Sequence, residues 1–414
     1  MGFRAFVILA ALALAAPASE EERFIVHEWG TFTSVQGPGG IGLEGLQVEE
    51  EALPHFVYSR SKVRECPLRE HGYKGLEVPA VGVTQKMETP VIYFHTKTPR
   101  RVTVRVDFVQ GLLTQWYPVS DLLGPPERAA DAGPLDLATV DLSFLQWDVD
   151  LIPRASGAPG GIPRVARADD PWLFARDVDA AYVRTAPRTG EGRLGPVEAE
   201  HYLFYRGLGR FELPIRVEAT EEGGAVVRNG GAHSVPGAVV VEMEATRFRV
   251  WPIPGIRAGE SAEALPDRAA WRDRATAADD IGEILLKFLA GEGLYDDEAR
   301  AMVRTWSRSW FLTEGTRLLY VVPRPYVDEM LPLSIDPKPD ATVRVLLGRI
   351  EFLSAERRVF LEKLLRIHQG DPKARRTLDR FGRFLEAHVR GVLATSRDER
   401  VLAGARALLS EGRG

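Results

Sequence analysis

The sequence predicts a mainly β protein with α additions: an antiparallel β-sandwich, or a barrel-like form of it, with a helical-hairpin insertion and a C-terminal helical bundle. Between residues 24 and about 252, apolar and polar residues alternate with a period of two, and glycine and proline recur between the alternating runs. Residues 280–312 and 354–414 instead carry apolar residues at helical spacing. Many short strands in one block, with helices inserted and appended, are typical of a sandwich with helical additions.

The N-terminus has the pattern of a cleaved export signal. Arg4 supplies a positive charge, residues 5–16 form an apolar run, and residues 16–18 give a small-x-small cleavage pattern. The run is shorter than the roughly 20 apolar residues that cross a bilayer, and no later stretch of the sequence reaches that length. We therefore expect a soluble periplasmic or secreted protein, without a transmembrane anchor after signal cleavage.

The predicted division of the chain has three parts, namely a signal peptide at 1–18, a β-sandwich domain with its helical insertion at 19–353, and a C-terminal helical segment at 354–414. The 414 residues are 45% hydrophobic and 27% charged, which is typical of a globular chain. Cys66 is the single cysteine, so no disulfide bond can form within the chain.

The net charge of −5 is unevenly distributed. Residues 355–414 carry 14 Lys and Arg against 8 Asp and Glu, a net charge of +6, so the remainder is acidic. The basic end is either a solvated helical face or a surface for an acidic partner. An exported chain that is acidic outside its last helices argues against nucleic acid as a partner.

Individual strands and helices follow from local patterns. In the run 101–108, Val102, Val104, Val106 and Phe108 share one face, which predicts a half-buried strand paired with the run 91–95. Further strands are predicted at 142–151, 200–206, 211–217 and 239–251. Helices are predicted at 280–290, from Asp296 as a cap to about 315, and as three amphipathic helices after Ser354, with Asp371-Pro372 opening one of them.

The stretch Arg23 to Val35 places His27 next to Glu28 near the start of the predicted mature chain. A zinc-protease helix needs a second histidine four residues after the first, and position 31 is threonine. In a regular strand, His27 and Glu28 point to opposite faces. We therefore expect Glu28 to be a structural or supporting carboxylate, while His27 remains available for a site.

Four of the eight histidines, His27, His55, His71 and His95, fall within 69 residues. Imidazole and carboxylate ligands together suit zinc, or iron bound by two histidines and one carboxylate. These four residues are the predicted metal ligands, with zinc or iron as the candidate cofactor. The alternative is that the histidines cap loops or lie half-buried beside aromatic residues.

Patterns for nucleophilic or nucleotide chemistry are weak. No Gly-x-Ser-x-Gly, Gly-x-Gly-x-x-Gly or phosphate-binding loop pattern occurs in the sequence. Ser59 to Lys62 matches Ser-x-x-Lys, but the companion motifs of penicillin-recognising enzymes do not follow at a credible place. The sequence therefore assigns no catalytic residue.

Aromatic residues suggest a binding surface. Trp116, Tyr117, Tyr205 and Arg206 lie near predicted strand ends and loops, where an aromatic platform could stack a sugar ring or anchor a peptide. The alternative is that these side chains fill a sandwich core.

Several blocks carry a resemblance to a family, namely "VHEWGTFTSVQG", "ETPVIYFH", "HYLFYRG", "LYDDEARAMVRTWSRSWF" and "GTRLLYVVPR". Together they resemble an uncharacterised family of exported bacterial β-rich proteins, over residues 24 to about 353. The resemblance implies a shared β-rich fold and brings no activity, cofactor or site residue.

Three functions remain open from the sequence. The first is an exported envelope protein that binds an envelope protein or glycan, or has a structural role, through long loops with aromatic residues. The second is a metal-dependent hydrolase that uses the histidine-rich N-terminal region. The third is a structural subunit whose basic tail contacts an acidic partner.

Overall fold

The structure is a computed structural model that describes residues 23–46, 53–60, 80–125, 135–186, 189–190, 193–194, 197–265 and 269–411. The predicted signal peptide, Cys66 and His71 lie outside the described residues. The described chain folds into two large β-sheets packed face to face, with helices on the outer face of the larger sheet and a helical bundle at the C-terminus.

The strands in the first half of the chain are β1 (Ile25–Gln36), β2 (Tyr58–Ser59), β3 (Ala80–Val81), β4 (Gln85–Met87), β5 (Val91–His95), β6 (Arg100–Val109), β7 (Gly111–Tyr117), β8 (Leu122–Gly124), β9 (Leu135–Asp136), β10 (Leu142–Ile152), β11 (Tyr182–Thr185) and β12 (Thr189–Gly190). Those in the second half are β13 (Arg193–Leu194), β14 (Ala199–Glu200), β15 (Leu203–Gly209), β16 (Ile215–Ala219), β17 (Ala225–Asn229), β18 (Ala238–Met243), β19 (Arg247–Ile253), β20 (Ser261–Ala264), β21 (Arg272–Asp273), β22 (Gly315–Val321), β23 (Leu333–Asp336) and β24 (Ala341–Phe352). The helices are α1 (Pro171–Ala175), α2 (Ala277–Leu289), α3 (Asp296–Trp306), α4 (Arg324–Met330), α5 (Ala355–Ile367), α6 (Pro372–Leu378), α7 (Leu385–Thr395) and α8 (Glu399–Glu411).

The larger sheet has the strand order β2-β7-β15-β4-β1-β24-β22-β18-β19-β21, and β5 pairs with both β1 and β15. The second sheet has the order β14-β11-β10-β6-β23, with β8 paired to β10. A smaller sheet, β16-β17-β20, lies beside them. The predicted mainly β, sandwich-like fold is confirmed, and it is not a closed barrel.

One central strand pair departs from the antiparallel pattern. Strand β1 runs parallel to β24 over its whole length, with Ile25 opposite Ala341 and Gln36 opposite Phe352, so the larger sheet is mixed. No local pattern reports this pairing, because more than 300 residues separate the two strands. It places the N-terminal strand in the middle of the sheet, where both faces are covered.

The sandwich core lies between the two sheets. Val102, Val104 and Val106 of β6 point inward as their alternation predicted, and each is at most 1% exposed. On the other face of the larger sheet, Trp29, Tyr93 and their neighbours pack against α1, α2 and α3. Strand β1 therefore contributes alternate side chains to two separate apolar cores.

Most predicted elements are present with shifted ends. The strand predicted at 239–251 is a hairpin of β18 and β19, because a turn at residues 244–246 reverses the chain. The strand predicted at 211–217 is β16, which begins later. After Ser354, which caps α5 as expected, four α-helices form where three were predicted. Asp371 caps α6 through a hydrogen bond from the backbone N–H of Lys373.

A buried ion pair joins the C-terminal helical segment to the larger sheet. Arg383 donates hydrogen bonds to both carboxylate oxygens of Glu88, and Thr33 of β1 donates to one of the same oxygens. Phe384 and Ala387 continue the contact with an apolar patch around Val35. Among the helices that the structure describes, none is both long and apolar enough to cross a membrane.

Candidate metal centre

Three elements converge under the N-terminus of α3. Strands β1 and β5 are antiparallel neighbours, with Tyr93 opposite His27 and His95 opposite Ile25. His27 and His95 are therefore diagonal neighbours on the face of the sheet that the helices cover. Glu298 is the third residue of α3, and its side chain is fully buried against this face.

The carboxylate of Glu298 contacts both imidazole rings. The Nδ1 of His27 lies 2.6 Å from Oε2 of Glu298, and the Nε2 of His95 lies 3.0 Å from Oε1. One ligand atom from each of the three residues lies within 4.8 Å of the other two. His27 is 2% exposed and His95 is 12% exposed, so solvent reaches the cluster at the His95 side.

Glu298 also fixes the start of α3. Its Oε2 accepts a hydrogen bond of 2.8 Å from the backbone N–H of Tyr295, which is the N-cap residue of the helix. Asp296, predicted as the cap, is instead the first helical residue. A carboxylate at the third helical position is well placed both to accept from the cap and to benefit from the positive end of the helix dipole.

Tyr295 covers the two histidines from the solvent side. Its ring centroid lies 4.6 Å from that of His27 and 4.7 Å from that of His95, and the residue is 42% exposed. Burial, together with the negative charge of Glu298, raises the pKa of the Tyr295 phenol. The phenol therefore stays protonated and can donate a hydrogen bond.

The electrostatics of the cluster keep Glu298 ionised. Burial acts to raise the pKa of this carboxyl group, but hydrogen bonds and electrostatic interactions with His27 and His95 outweigh it. The pKa of Glu298 consequently lies below its ordinary value. An ionised carboxylate between two imidazoles is the donor set expected for zinc or for iron with two histidines and one carboxylate.

The structure brings together two of the four histidines predicted as ligands. His55 contributes no atom to the cluster. It precedes β2, which lies four positions from β1 in the sheet order. At the usual spacing between neighbouring strands, this corresponds to a distance of about 19 Å. Its ring contacts Phe56 instead. The prediction that His55 joins His27 and His95 at one site is therefore wrong. His71 lies outside the described residues.

The third residue of the cluster, Glu298, was missed from the sequence. Glu298 stands in the acidic run 296–298 at a helix start, a position where acidic residues are common for reasons of helix stability alone. Only the packing of α3 on β1 and β5 distinguishes this carboxylate from its two neighbours, so no local signal could have identified it.

Glu28 points to the opposite face of β1, as the alternation predicted. Its carboxylate accepts hydrogen bonds from the Tyr205 hydroxyl and, at 2.5 Å, from Nε of Arg344. Arg344 also contacts Asp328 of α4 at 2.9 Å. Glu28 therefore anchors strands and a helix on the sandwich side and does not face the histidine cluster.

The predicted exposed aromatic platform is not observed. Trp116 and Tyr117 belong to β7, while Tyr205 and Arg206 belong to β15, and all four are at least 94% buried. Trp116 and Tyr205 lie in the sandwich core, because strand residues between two packed layers have no free face. The expectation that these residues lie in exposed loops is wrong.

Arg206 and several tryptophans do line a small cavity. Its walls include Trp29 of β1, Trp172 of α1, and Trp306 with Trp310 at the end of α3. The cavity has a volume of about 70 Å³. This is the volume of roughly two water molecules, so a sugar ring does not fit without rearrangement.

No protein-family model matches the chain, and no curated protein sequence matches it. Among solved structures, the yeast delta-COP-I mu-homology domain complexed with a Dsl1 WxWxV peptide is similar at 7% identity with a TM-score of 0.20. That match covers 81% of this chain and 98% of the yeast chain. At this TM-score the likeness carries no argument about fold or function.

Proposed function

We propose that this chain is an exported metalloprotein that binds one divalent transition-metal ion through His27, His95 and Glu298, with metal-assisted hydrolysis as its reaction. The observation that carries the proposal is the convergence of two imidazole nitrogens and one carboxylate oxygen, from three separate elements, within 4.8 Å. Two of these residues were candidates from the sequence, and the third is a buried carboxylate held by both of them.

The distances between ligand atoms are compatible with a zinc ion. Zinc binds imidazole nitrogen and carboxylate oxygen at about 2.0–2.2 Å, which places tetrahedral ligand atoms about 3.3 Å apart. The contacts of Glu298 with His27 at 2.6 Å and with His95 at 3.0 Å need a small expansion, and the widest separation of ligand atoms, up to 4.8 Å, needs to shorten by about 1.5 Å. The sheet fixes both histidines and the first turn of α3 fixes the glutamate, so each ligand atom would move by about 1 Å or less.

Three protein ligands favour a catalytic site over a structural one. Structural zinc is usually enclosed by four protein ligands, whereas catalytic zinc has three and keeps a position for water. A zinc ion held by His27, His95 and Glu298 would supply Lewis-acid activation of a water molecule. Tyr295, at the exposed edge of the cluster, is placed to donate a hydrogen bond to a substrate oxygen.

Iron is the second candidate metal. Two histidines and one carboxylate on one face of the ion are also the ligand set of non-haem iron oxygenases. Iron and zinc have the same protein ligands here, so the proposed site residues do not depend on the choice. Elemental analysis of the protein as purified decides between the two metals.

The proposed location rests on the sequence pattern of residues 1–18 and on the resemblance to an exported bacterial family. A binding role for glycans has less support, because the four residues chosen for it are buried and the nearby cavity of about 70 Å³ is small.

Hydrolysis can be tested with chromogenic phosphate and carboxylate esters. Protein stripped with a chelator should be inactive, and zinc or iron should restore turnover in the wild type but not in Glu298→Gln. Glu292→Gln is the matched control, since Glu292 lies in the preceding connection between α2 and α3 and outside the cluster. Equal turnover in Glu298→Gln, or no turnover of any ester with either metal, would refute the hydrolase assignment.

A further inference from the structure

A second cavity lies at the opposite end of the larger sheet from the cluster, between the sandwich and the C-terminal helices. It is enclosed by the end of β1, the end of β16, the end of β24, and helices α5 and α7. Its volume is about 310 Å³, which corresponds to about ten water molecules. Cavities of this size with mostly apolar walls are the usual form of a small-molecule site.

The walls are mainly apolar. Val217 and Phe352 line the side toward the sheet, and Leu43 and Val392 line the side toward α7. The sandwich supplies one half of the enclosure and the C-terminal segment supplies the other half. A ligand in this cavity would therefore bridge the two parts of the chain.

His388 is a buried polar side chain on the wall of this cavity. It is 5% exposed and lines the cavity. Its ring makes an edge contact with Phe381, with 6.3 Å between the ring centroids. A polar group of a ligand in the cavity can form a hydrogen bond with this imidazole.

Arg358 adds a positive charge at the α5 side. Its Nε donates to Glu362 at 3.3 Å and its Nη2 donates to Thr395 at 2.7 Å. Among the residues described, Nη1 has no hydrogen-bond partner, and the side chain is 30% exposed. These contacts hold the guanidinium in place while one donor stays available.

Charges elsewhere on the wall set the orientation of a ligand. Glu218 and Glu221 lie at the β16 side, where Glu218 contacts Arg228 at 3.7 Å. An anionic group is disfavoured near these carboxylates and favoured near Arg358. The apolar walls between the two ends suit a hydrocarbon chain.

We propose that this cavity binds a monocarboxylic acid with an apolar chain, its carboxylate at Arg358 and His388 and its chain along the walls formed by β16, β24 and α7. A methylene group takes up about the volume of one water molecule, ~30 Å³, so a chain of about eight to ten carbons fits. This site is separate from the metal centre, and its occupation does not require a metal.

Isothermal titration of the full chain with octanoate, octylammonium and acetate tests the proposal. Octanoate should bind with one site, while acetate, which lacks the chain, and octylammonium, which has the opposite charge, should bind at least about tenfold more weakly. Arg358→Gln should weaken octanoate binding by about tenfold or more. Arg366→Gln is the matched control on the same helix, since Arg366 pairs with Asp398 and does not line the cavity.

A second variant tests the position of the chain. Ala219→Trp at the β16 wall fills the cavity, and it should abolish octanoate binding while the melting temperature without ligand remains close to that of the wild type. The proposal would be overturned if octanoate did not bind, or if octylammonium or acetate bound as tightly as octanoate. It would also be overturned if both Arg358→Gln and Ala219→Trp bound octanoate as tightly as the wild type.

Discussion

The Nδ1 of His27 lies 2.6 Å from Oε2 of Glu298, although 271 residues separate them in the chain. The contact joins the central strand of the larger sheet to the first turn of α3, so it forms only when the helical insertion packs on the sheet. His95 then completes the cluster from the neighbouring strand. A metal bound at these three residues would consequently stabilise the folded state.

The buried pair of Glu28 and Arg344 should be strongly required for stability. Arg344→Met leaves the fully buried Glu28 carboxylate without its cation, and we expect a loss of about 3–5 kcal/mol in the free energy of unfolding. Asp328→Asn should cost about 1 kcal/mol or less, because Asp328 is 47% exposed. Urea unfolding followed by circular dichroism gives both values, and equal effects of the two substitutions would contradict the assignment.

The attachment of the C-terminal segment should depend on Arg383. Its side chain pairs with the buried carboxylate of Glu88, so Arg383→Met should cost about 3–5 kcal/mol and make the last helices more susceptible to proteolysis. Arg380→Met is the control, three residues earlier. It removes an ion pair with Glu314 in which Arg380 is 56% exposed, so the free energy of unfolding should fall by about 1 kcal/mol or less. Limited proteolysis with mass spectrometry shows whether cleavage near residue 354 increases only in the Arg383 variant.

His388 should make the protein less stable in mild acid. Burial lowers the pKa of His388 from its ordinary 6.5 to about 4, with Glu351 acting to raise it and Arg357 to lower it further. Between these two values the unfolded state binds the proton and the folded state does not, so stability falls as the pH falls from 6.5 to 4. The full effect is on the order of 3 kcal/mol.

Replacing His388 should make the stability of the protein depend less on pH. In His388→Gln, the free energy of unfolding should change less between pH 6.5 and 4 than in the wild type, as measured by urea titration at each pH. His55→Gln, which alters an exposed histidine, should leave the slope unchanged. An identical slope in His388→Gln and the wild type would show that this residue does not titrate as proposed.

Helices α5 and α8 are in close contact at a glycine. A Cβ atom at Gly404 would lie 1.8 Å from the backbone oxygen of Leu365, and this backbone atom cannot rotate away. Gly404→Ala should therefore push the two helices apart and lower the free energy of unfolding by about 1–3 kcal/mol. Thermal unfolding measures this loss. Gly370→Ala meets no described atom within 4 Å, and its melting temperature should stay near that of the wild type.

Local patterns predicted the parts of the fold that depend on local physics. The alternation in β6, the cap at Ser354 and the opposite directions of His27 and Glu28 all follow from the strand or helix period, and the structure has each of them. The parallel pairing of β1 with β24 depends on contacts across more than 300 residues, and no period in either strand encodes it. The fold class was therefore predictable, while the strand order was not.

The site was predictable only in part for the same reason. The enrichment of histidines pointed to His27 and His95, but it also included His55, because clustering along a chain does not determine clustering in space. Glu298 has the local features of any acidic residue at a helix start. Its role becomes visible only once α3 is packed on the sheet.

The metal content of the protein tests the central claim most directly. Wild-type protein loaded with zinc and dialysed without chelator should retain about one equivalent, as should His55→Ala, whereas His95→Ala should retain less than about 0.1 equivalent. Each variant is first checked by circular dichroism for the wild-type fold. A wild-type protein that retains no metal after loading with zinc or iron, or a His95→Ala variant that retains as much as the wild type, would contradict the account.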